Sequence, residues 1–192
     1  MMRKSIGSLL ALLLVLWAQA AIAEDVSVET VLTGLSRPSS VTIRPGGTPD
    51  RYEVFVAESG ARRIIRMSSN EPNRSSDAIT GFPESSGGYG GPTDSPGGIL
   101  FLDEKHLVVS VAGAPPELRL YELTEAGTSL SANQAKQQVT PELSPKNSEA
   151  ALGICRGLAR TRANDNVADM LFVTIYWGRP VHGVWKVPVR AN

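Results

Sequence analysis

Apolar residues along this chain fall in short runs separated by Pro, Gly and polar turn-formers, and one arrangement of runs recurs three times. The first copy reads Ser40-Val41-Thr42-Ile43, Val54-Phe55-Val56-Ala57 and Ile64-Ile65-Arg66-Met67. The second reads Gly98-Ile99-Leu100-Phe101, Leu107-Val108-Val109-Ser110 and Leu120-Tyr121-Glu122-Leu123, and the third Gly157-Leu158-Ala159-Arg160, Leu171-Phe172-Val173-Thr174 and Val184-Trp185-Lys186-Val187. Val41 and Ile99 stand 58 positions apart and Ile99 and Leu158 stand 59 apart, a nearly constant period. Runs of this length, rich in β-branched residues and without a sustained helical period, predict strands.

Further segments complete each copy. Ala78 to Phe82 and Gln137 to Leu143 follow the first two triplets and are predicted as outermost strands. Val26 to Leu35 alternates, with Val26, Val28, Thr30 and Leu32 on one face, and is predicted as a strand that precedes the first triplet. The predicted class is therefore all-β: a β-propeller arc of three four-stranded blades, with blade cores near 39–82, 97–143 and 153–188. Ring propellers use roughly four to eight blades, so three are half of a six-bladed ring. In such a ring the leading strand closes the last blade. An open arc leaves bare apolar faces and unpaired edges at both ends. Two completions are expected as alternatives: further blades of a longer chain, of which this sequence is a truncated part, or a second copy joined head to tail as a homodimer.

The N-terminus adds a destination. Arg3 and Lys4 precede an apolar stretch from Ile6 to Trp17, and Ala21-Ile22-Ala23 has the small-x-small form of a signal-peptidase site. Residues 1–23 are thus read as a signal peptide, and the protein as exported, periplasmic or extracellular, with no membrane attachment after cleavage. The remaining 169 residues hold 17 basic and 19 acidic side chains, a balance that suits neither nucleic acid nor an anionic membrane as partner. Arg62, Arg63 and Arg66 are read as one exposed strand edge. Cys155, the single cysteine, cannot form an internal disulfide and is read as a buried thiol.

Two long connectors interrupt the repeats. Glu84 to Pro96 is glycine-rich but lacks the Lys-Ser/Thr ending of a phosphate loop, and Ser129 to Gly153 is polar; both are predicted on the surface.

Gly34-Leu35-Ser36-Arg37-Pro38, then Val54-Phe55-Val56-Ala57-Glu58-Ser59-Gly60 and Arg63-Ile64-Ile65-Arg66, resembles the opening blade of secreted six-bladed propellers, the group holding NHL-repeat proteins and quinone-dependent glucose/sorbosone dehydrogenases. Ser95-Pro96-Gly97-Gly98-Ile99-Leu100-Phe101-Leu102-Asp103 with His106 to Gly113 is similar to the dehydrogenases' second stretch, and Phe172 to Arg179 with Val184 to Val187 to a strand pair of that family. The resemblance implies a base near Ser95, where the family carries a His that takes the sugar hydroxyl proton. Serine cannot serve unaided, and His106 is read as a solvated turn residue. The gluconolactonase-type Glu-Gly-Pro metal motif is not seen after Ala23, and no run of Asp, Asn and Glu has calcium-loop spacing.

Ligand contact is expected at the loops between second and third strands, which carry Glu58, Arg62, Tyr176, Trp177, Arg179 and His182. Adjacent aromatics and a guanidinium in Tyr176-Trp177-Gly178-Arg179 suit stacking on a sugar ring or clamping a carboxylate. Glu58 has a competing role in pairing with Arg62 or Arg63. No catalytic residue, metal ligand or cofactor is assigned. The expectation is an exported propeller arc that binds a small molecule or a protein at its blade-end loops. The alternative is a divergent or truncated quinone-dependent sugar dehydrogenase.

Overall fold

The computed structural model describes residues 28–84, 95–113, 116–123, 128–140, 153–161, 170–177 and 182–188. The predicted signal peptide and most of the glycine-rich connector lie outside them. The chain divides into two units, Met1–Val31 and Leu32–Asn192. Of the first unit, residues 28–31 are described; they carry no strand, and Val28 and Val31 are exposed.

The second unit is all-β, with three sheets, none closed. Sheet one begins with β1 (Pro38–Ile43), β2 (Glu53–Glu58), β3 (Arg63–Ser68) and β4 (Ser75–Thr80), paired antiparallel in chain order. Sheet two joins β5 (Ile99–Phe101), β6 (His106–Val111) and β7 (Glu117–Glu122). The chain next forms β8 (Leu130–Ser131) and a 3-10 turn at Ala132–Gln134, and then β9 (Gln137–Val139), which pairs antiparallel with β7. Sheet three is β10 (Gly153–Thr161), β11 (Met170–Trp177) and β12 (His182–Pro188). All nine predicted triplet strands are present; β9 is the predicted outer strand of sheet two, whereas β4 follows β3 as predicted but is not outermost, because β8 pairs beyond it.

Two elements differ from the sequence expectation. Within Val26 to Leu35 the described residues form no strand, and Gly34 at φ 75° and Arg37 at φ 50° turn the chain before β1. Residues 36 and 37 instead hydrogen-bond to the turn after β2: Ser59 N–H donates to the Arg37 carbonyl at 3.1 Å and Gly60 N–H to the Ser36 carbonyl at 3.1 Å. Conversely, the polar connector after Ser129 contains β8, which leaves sheet two and pairs in parallel with β4 of sheet one through Ile79 and Leu130.

Burial explains the sequence pattern. One core lies between sheets one and two, with Phe55, Ile64, Ile79, Phe82, Leu107 and Tyr121 fully enclosed. A second lies between sheets two and three, around Val108, Leu118, Leu171 and Val173. Sheet two is thus covered on both faces, which is why β6 reads His-Leu-Val-Val-Ser-Val with five consecutive buried positions. Fully burying each such side chain contributes about 1.5–3 kcal/mol. In β1 the side toward sheet two carries Ser40 and Thr42, while Val41 and Ile43 face away and stay 65% and 57% exposed.

The first strands of the sheets are neighbours: β1 touches β5 and β5 touches β10. Serines fasten the first junction. Ser39 Oγ donates to the carbonyls of Pro96 and Gly97 at 2.8 and 2.9 Å, and Ser40 Oγ accepts the Ile99 N–H at 3.2 Å. Arg160 of β10 donates to the Leu102 carbonyl after β5.

Candidate functional site

Two regions carry polar side chains that could meet a ligand. The first is the set of hairpins between second and third strands. Glu58 closes β2 and Arg62 precedes β3, so the predicted pair lies in one turn. Glu58 is fully buried and both its oxygens are occupied: Oε1 accepts the Ser36 N–H at 2.6 Å, and Oε2 the Arg63 Nε–H at 2.7 Å. Arg63 also reaches Asp77 at 3.0 Å, and the Glu58 hydrogen bond raises the guanidinium's pKa above its ordinary value, against the opposing effect of burial. Arg62 is exposed and forms a 3.6 Å ion pair with Glu84. Gly60 is required here: a Cβ would meet Ser36 Oγ at 2.4 Å.

On sheet three, the β11–β12 register sets Tyr176 opposite His182, and Trp177 lies opposite Gly153 on β10. The backbone therefore brings Tyr176 and His182 together. The side chains of Tyr176, Trp177 and His182, the Cys155 thiol and the whole of Arg179 lie outside what is described. These residues and the Glu58 turn belong to sheets that have sheet two between them.

The arginines grouped in the sequence as one exposed edge separate in the structure. Successive strand residues point to opposite faces, so Arg66 falls on the same side of β3 as Ile64. It is 6% exposed, donating through Nε to Ser76 Oγ at 3.3 Å and through Nη2 to the Thr128 carbonyl at 3.2 Å.

Arg66 leads to the second region, which the sequence reading did not find. At the opposite ends of β2 and β3, the β1–β2 and β3–β4 loops frame a cavity of about 770 Å³. Arg44, Arg51, Arg66 and Arg74 line it together with Glu53 and Glu71. Ser69 fixes the two loops to each other: its N–H donates to the Tyr52 carbonyl at 2.9 Å, while its Oγ accepts the Tyr52 N–H at 3.0 Å and donates to the Asp50 carbonyl at 3.3 Å. Thr48 and Arg51 close the first loop through reciprocal backbone hydrogen bonds at 2.8 and 3.1 Å. Gly46, at φ 87°, turns the chain against Glu104, whose Oε1 would lie 2.6 Å from an added Cβ. The walls are thus set by backbone geometry. The signal available in the sequence was Arg44-Pro45-Gly46-Gly47-Thr48-Pro49-Asp50-Arg51, a turn-rich loop bounded by arginines.

Within the wall, Arg44 is anchored by Glu53 at 2.8 Å and by the Glu104 carbonyl at 2.6 Å. Arg74 pairs with Glu71 at 3.3 Å, with side chains 80% and 59% exposed, a contact worth little in water. Arg51 is exposed and has no carboxylate partner among the described residues.

Two other positions from the sequence reading can be placed. His106 begins β6, its Nδ1 2.7 Å from Asp103 Oδ2 in a half-exposed turn. Ser95 is buried, and its Oγ has no hydrogen-bond partner among the described residues. Among the described residues no group of three His, Cys, Asp or Glu side chains is arranged to hold a metal ion, and no helix is long and apolar enough to cross a membrane. No family model, curated protein or solved structure matches the chain.

Proposed function

We propose that this protein is an exported ligand-binding module built as a β-propeller arc, with no chemistry of its own. The observation that carries the binding role is the cavity at the base of sheet one: about 770 Å³, bounded by two loops locked through Ser69, and lined with donors and one aromatic ring, Tyr52. That volume falls within the range of small-molecule sites, and walls already held by hydrogen bonds need little ordering on binding. The propeller reading draws support from the adjacency of β1, β5 and β10 and from the run of three consecutive strands paired in chain order in every sheet. Arg62 on sheet one, and Tyr176, Trp177, Arg179 and His182 of sheet three's sequence, remain further proposed contacts for a ligand or protein; Glu58, enclosed by Ser36 and Arg63, serves its turn instead.

Thermal-shift screening of the purified protein against a metabolite library tests the binding role. At least one compound should raise the melting temperature saturably, and Ser75→Trp, which places a bulky ring at the cavity, should abolish that shift while leaving the unliganded melting temperature near that of the parent. No saturable hit, or hits indifferent to Ser75→Trp, would remove the cavity from the proposal. Reduction of a quinone-coupled dye with aldoses would instead establish the dehydrogenase alternative.

A further inference from the structure

The geometry points to the class of ligand: the cavity at the base of sheet one takes a small anion, a molecule carrying carboxylate or phosphate groups on a hydroxylated frame. This deepens the binding reading above and rests on it.

The charge is local. The chain as a whole has a formal net charge of zero, yet four arginines and two glutamates line this one cavity. Each glutamate already faces an arginine, Glu53 at Arg44 and Glu71 at Arg74, so neither leaves an uncompensated negative charge to repel an anion. Arg51 remains at the rim with its backbone pinned by Thr48, whose Oγ1 accepts the Arg51 N–H at 3.1 Å. Its guanidinium has no carboxylate partner among the described residues, and a planar fork of donors suits a carboxylate or phosphate bidentately. Arg74 is 80% exposed and uses one nitrogen on Glu71, so its other donors stay open to a ligand while it still faces that carboxylate.

The remaining lining explains why a bare ion is too small. Thr48, Ser68, Asn70, Ser75 and Ser76 supply hydroxyl and amide groups around the space, and Tyr52 supplies an amphipathic ring. Inorganic phosphate would meet the arginines and leave these hydroxyl and amide groups to water. A hydroxylated frame would meet these groups while its anionic end reaches Arg51.

Titration calorimetry on the purified full chain at low ionic strength tests this with five probes: citrate, glucuronate, glucose 6-phosphate, inorganic phosphate and glucose. At least one of the first three is expected to bind saturably and more tightly than inorganic phosphate, with glucose the weakest of the five. Added salt should weaken binding. Arg51→Ala and Arg74→Ala should each weaken it about tenfold, with Arg51→Lys intermediate, while Lys136→Ala, an equal loss of charge elsewhere, should not. The responding probe separates a carboxylate from a phosphate ligand. Glucose binding as tightly as glucose 6-phosphate and glucuronate would overturn the anion assignment and leave the binding role standing. Inorganic phosphate matching glucose 6-phosphate would overturn the hydroxylated frame. Silence from all five probes, or arginine variants identical to the parent, would overturn the inference outright.

Discussion

At the scale of single residues, the clearest feature is that acidic side chains hold turns. Glu58 is enclosed between an N–H it accepts and a guanidinium it pairs with, so it fastens the chain before β1 to the hairpin after β2. Glu58→Gln keeps an oxygen for Ser36 but points amide hydrogens at Arg63. Losing a charged hydrogen bond of this kind is expected to cost about 2 kcal/mol, read as a lower urea midpoint at unchanged slope. A loss below about 0.5 kcal/mol would mean that Arg63 finds equal company in Asp77 and solvent. Asp103 makes a weaker, pH-dependent version of the same device. Burial alone would raise its pKa, but the N–H groups of Lys105 and His106, both 2.8 Å away, and the His106 ring lower it below the ordinary 3.8. A lowered folded-state pKa adds stability above the unfolded value and loses it as pH falls through the folded value. Asp103→Asn should therefore destabilise at neutral pH, by less than about 1 kcal/mol because the turn is solvated, and the gap from the parent should close below pH 3.8. A gap that persists at lower pH would show that shape, not charge, is what Asp103 supplies.

At the scale of elements, β8 carries the chain of sheet two across to sheet one, with Leu130 packed against the core the two sheets share. Tyr121 of β7 is fully buried, packs edge-on to Phe82 at 6.2 Å, and donates its hydroxyl to the Ala132 carbonyl at 2.7 Å. Burial pushes the phenol's pKa up, opposed by the nearby Arg119, so it stays a donor across the neutral range. Ser131 and Gln134 cap the same turn reciprocally, which holds β8 against β4. Tyr121→Phe should cost about 1 kcal/mol by leaving the Ala132 carbonyl to Arg119, and it should speed amide exchange at Leu130 and Ser131 more than in β6. Uniform acceleration would place the hydroxyl's role in the core. The strands themselves were legible in the sequence, because each triplet obeys local rules: apolar runs of strand length between turn residues. β8 was not, since two residues paired in parallel with a distant strand leave no periodic trace. The 26–35 segment failed in the opposite sense: its alternation is real but its described part forms no strand, and the residues that follow it, Ser36 and Arg37, meet Glu58, Ser59 and Gly60. The Gly-Leu-Ser-Arg-Pro and Glu-Ser-Gly stretches that carry the resemblance are two halves of one clamp. The cavity stayed hidden because its arginines come from two loops and one strand that only β2–β3 pairing places together.

At the scale of the whole molecule, the question is what covers the outer sheets. Sheet two is the only sheet with a described apolar core on each side. On sheet one the exposure is confined to the β1 edge: Val41 and Ile43 are 65% and 57% exposed beside the half-buried Val54 and Val56, while Ile65 and Met67 farther across the same face are buried; on sheet three Val184 is 66% exposed. Isolated exposed valines carry no weight, but neighbours on one face of a sheet form a patch that costs free energy in water. In a propeller arc those faces are where the next sheets would pack, supplied by more chain or by a second copy. If a second copy supplies them, contact of sheet one with its partner's sheet three repeats twice and closes a ring of two chains. Light scattering across a hundredfold concentration range should then give a dimer. Val41→Asp should convert it to a monomer whose circular dichroism keeps the all-β signature, because Val41 faces away from the core and its loss leaves the β1–β5 serine contacts intact. A parent protein that is monomeric throughout would remove the two-chain ring. A dimer indifferent to Val41→Asp would move the interface off sheet one and with it the proposed head-to-tail geometry.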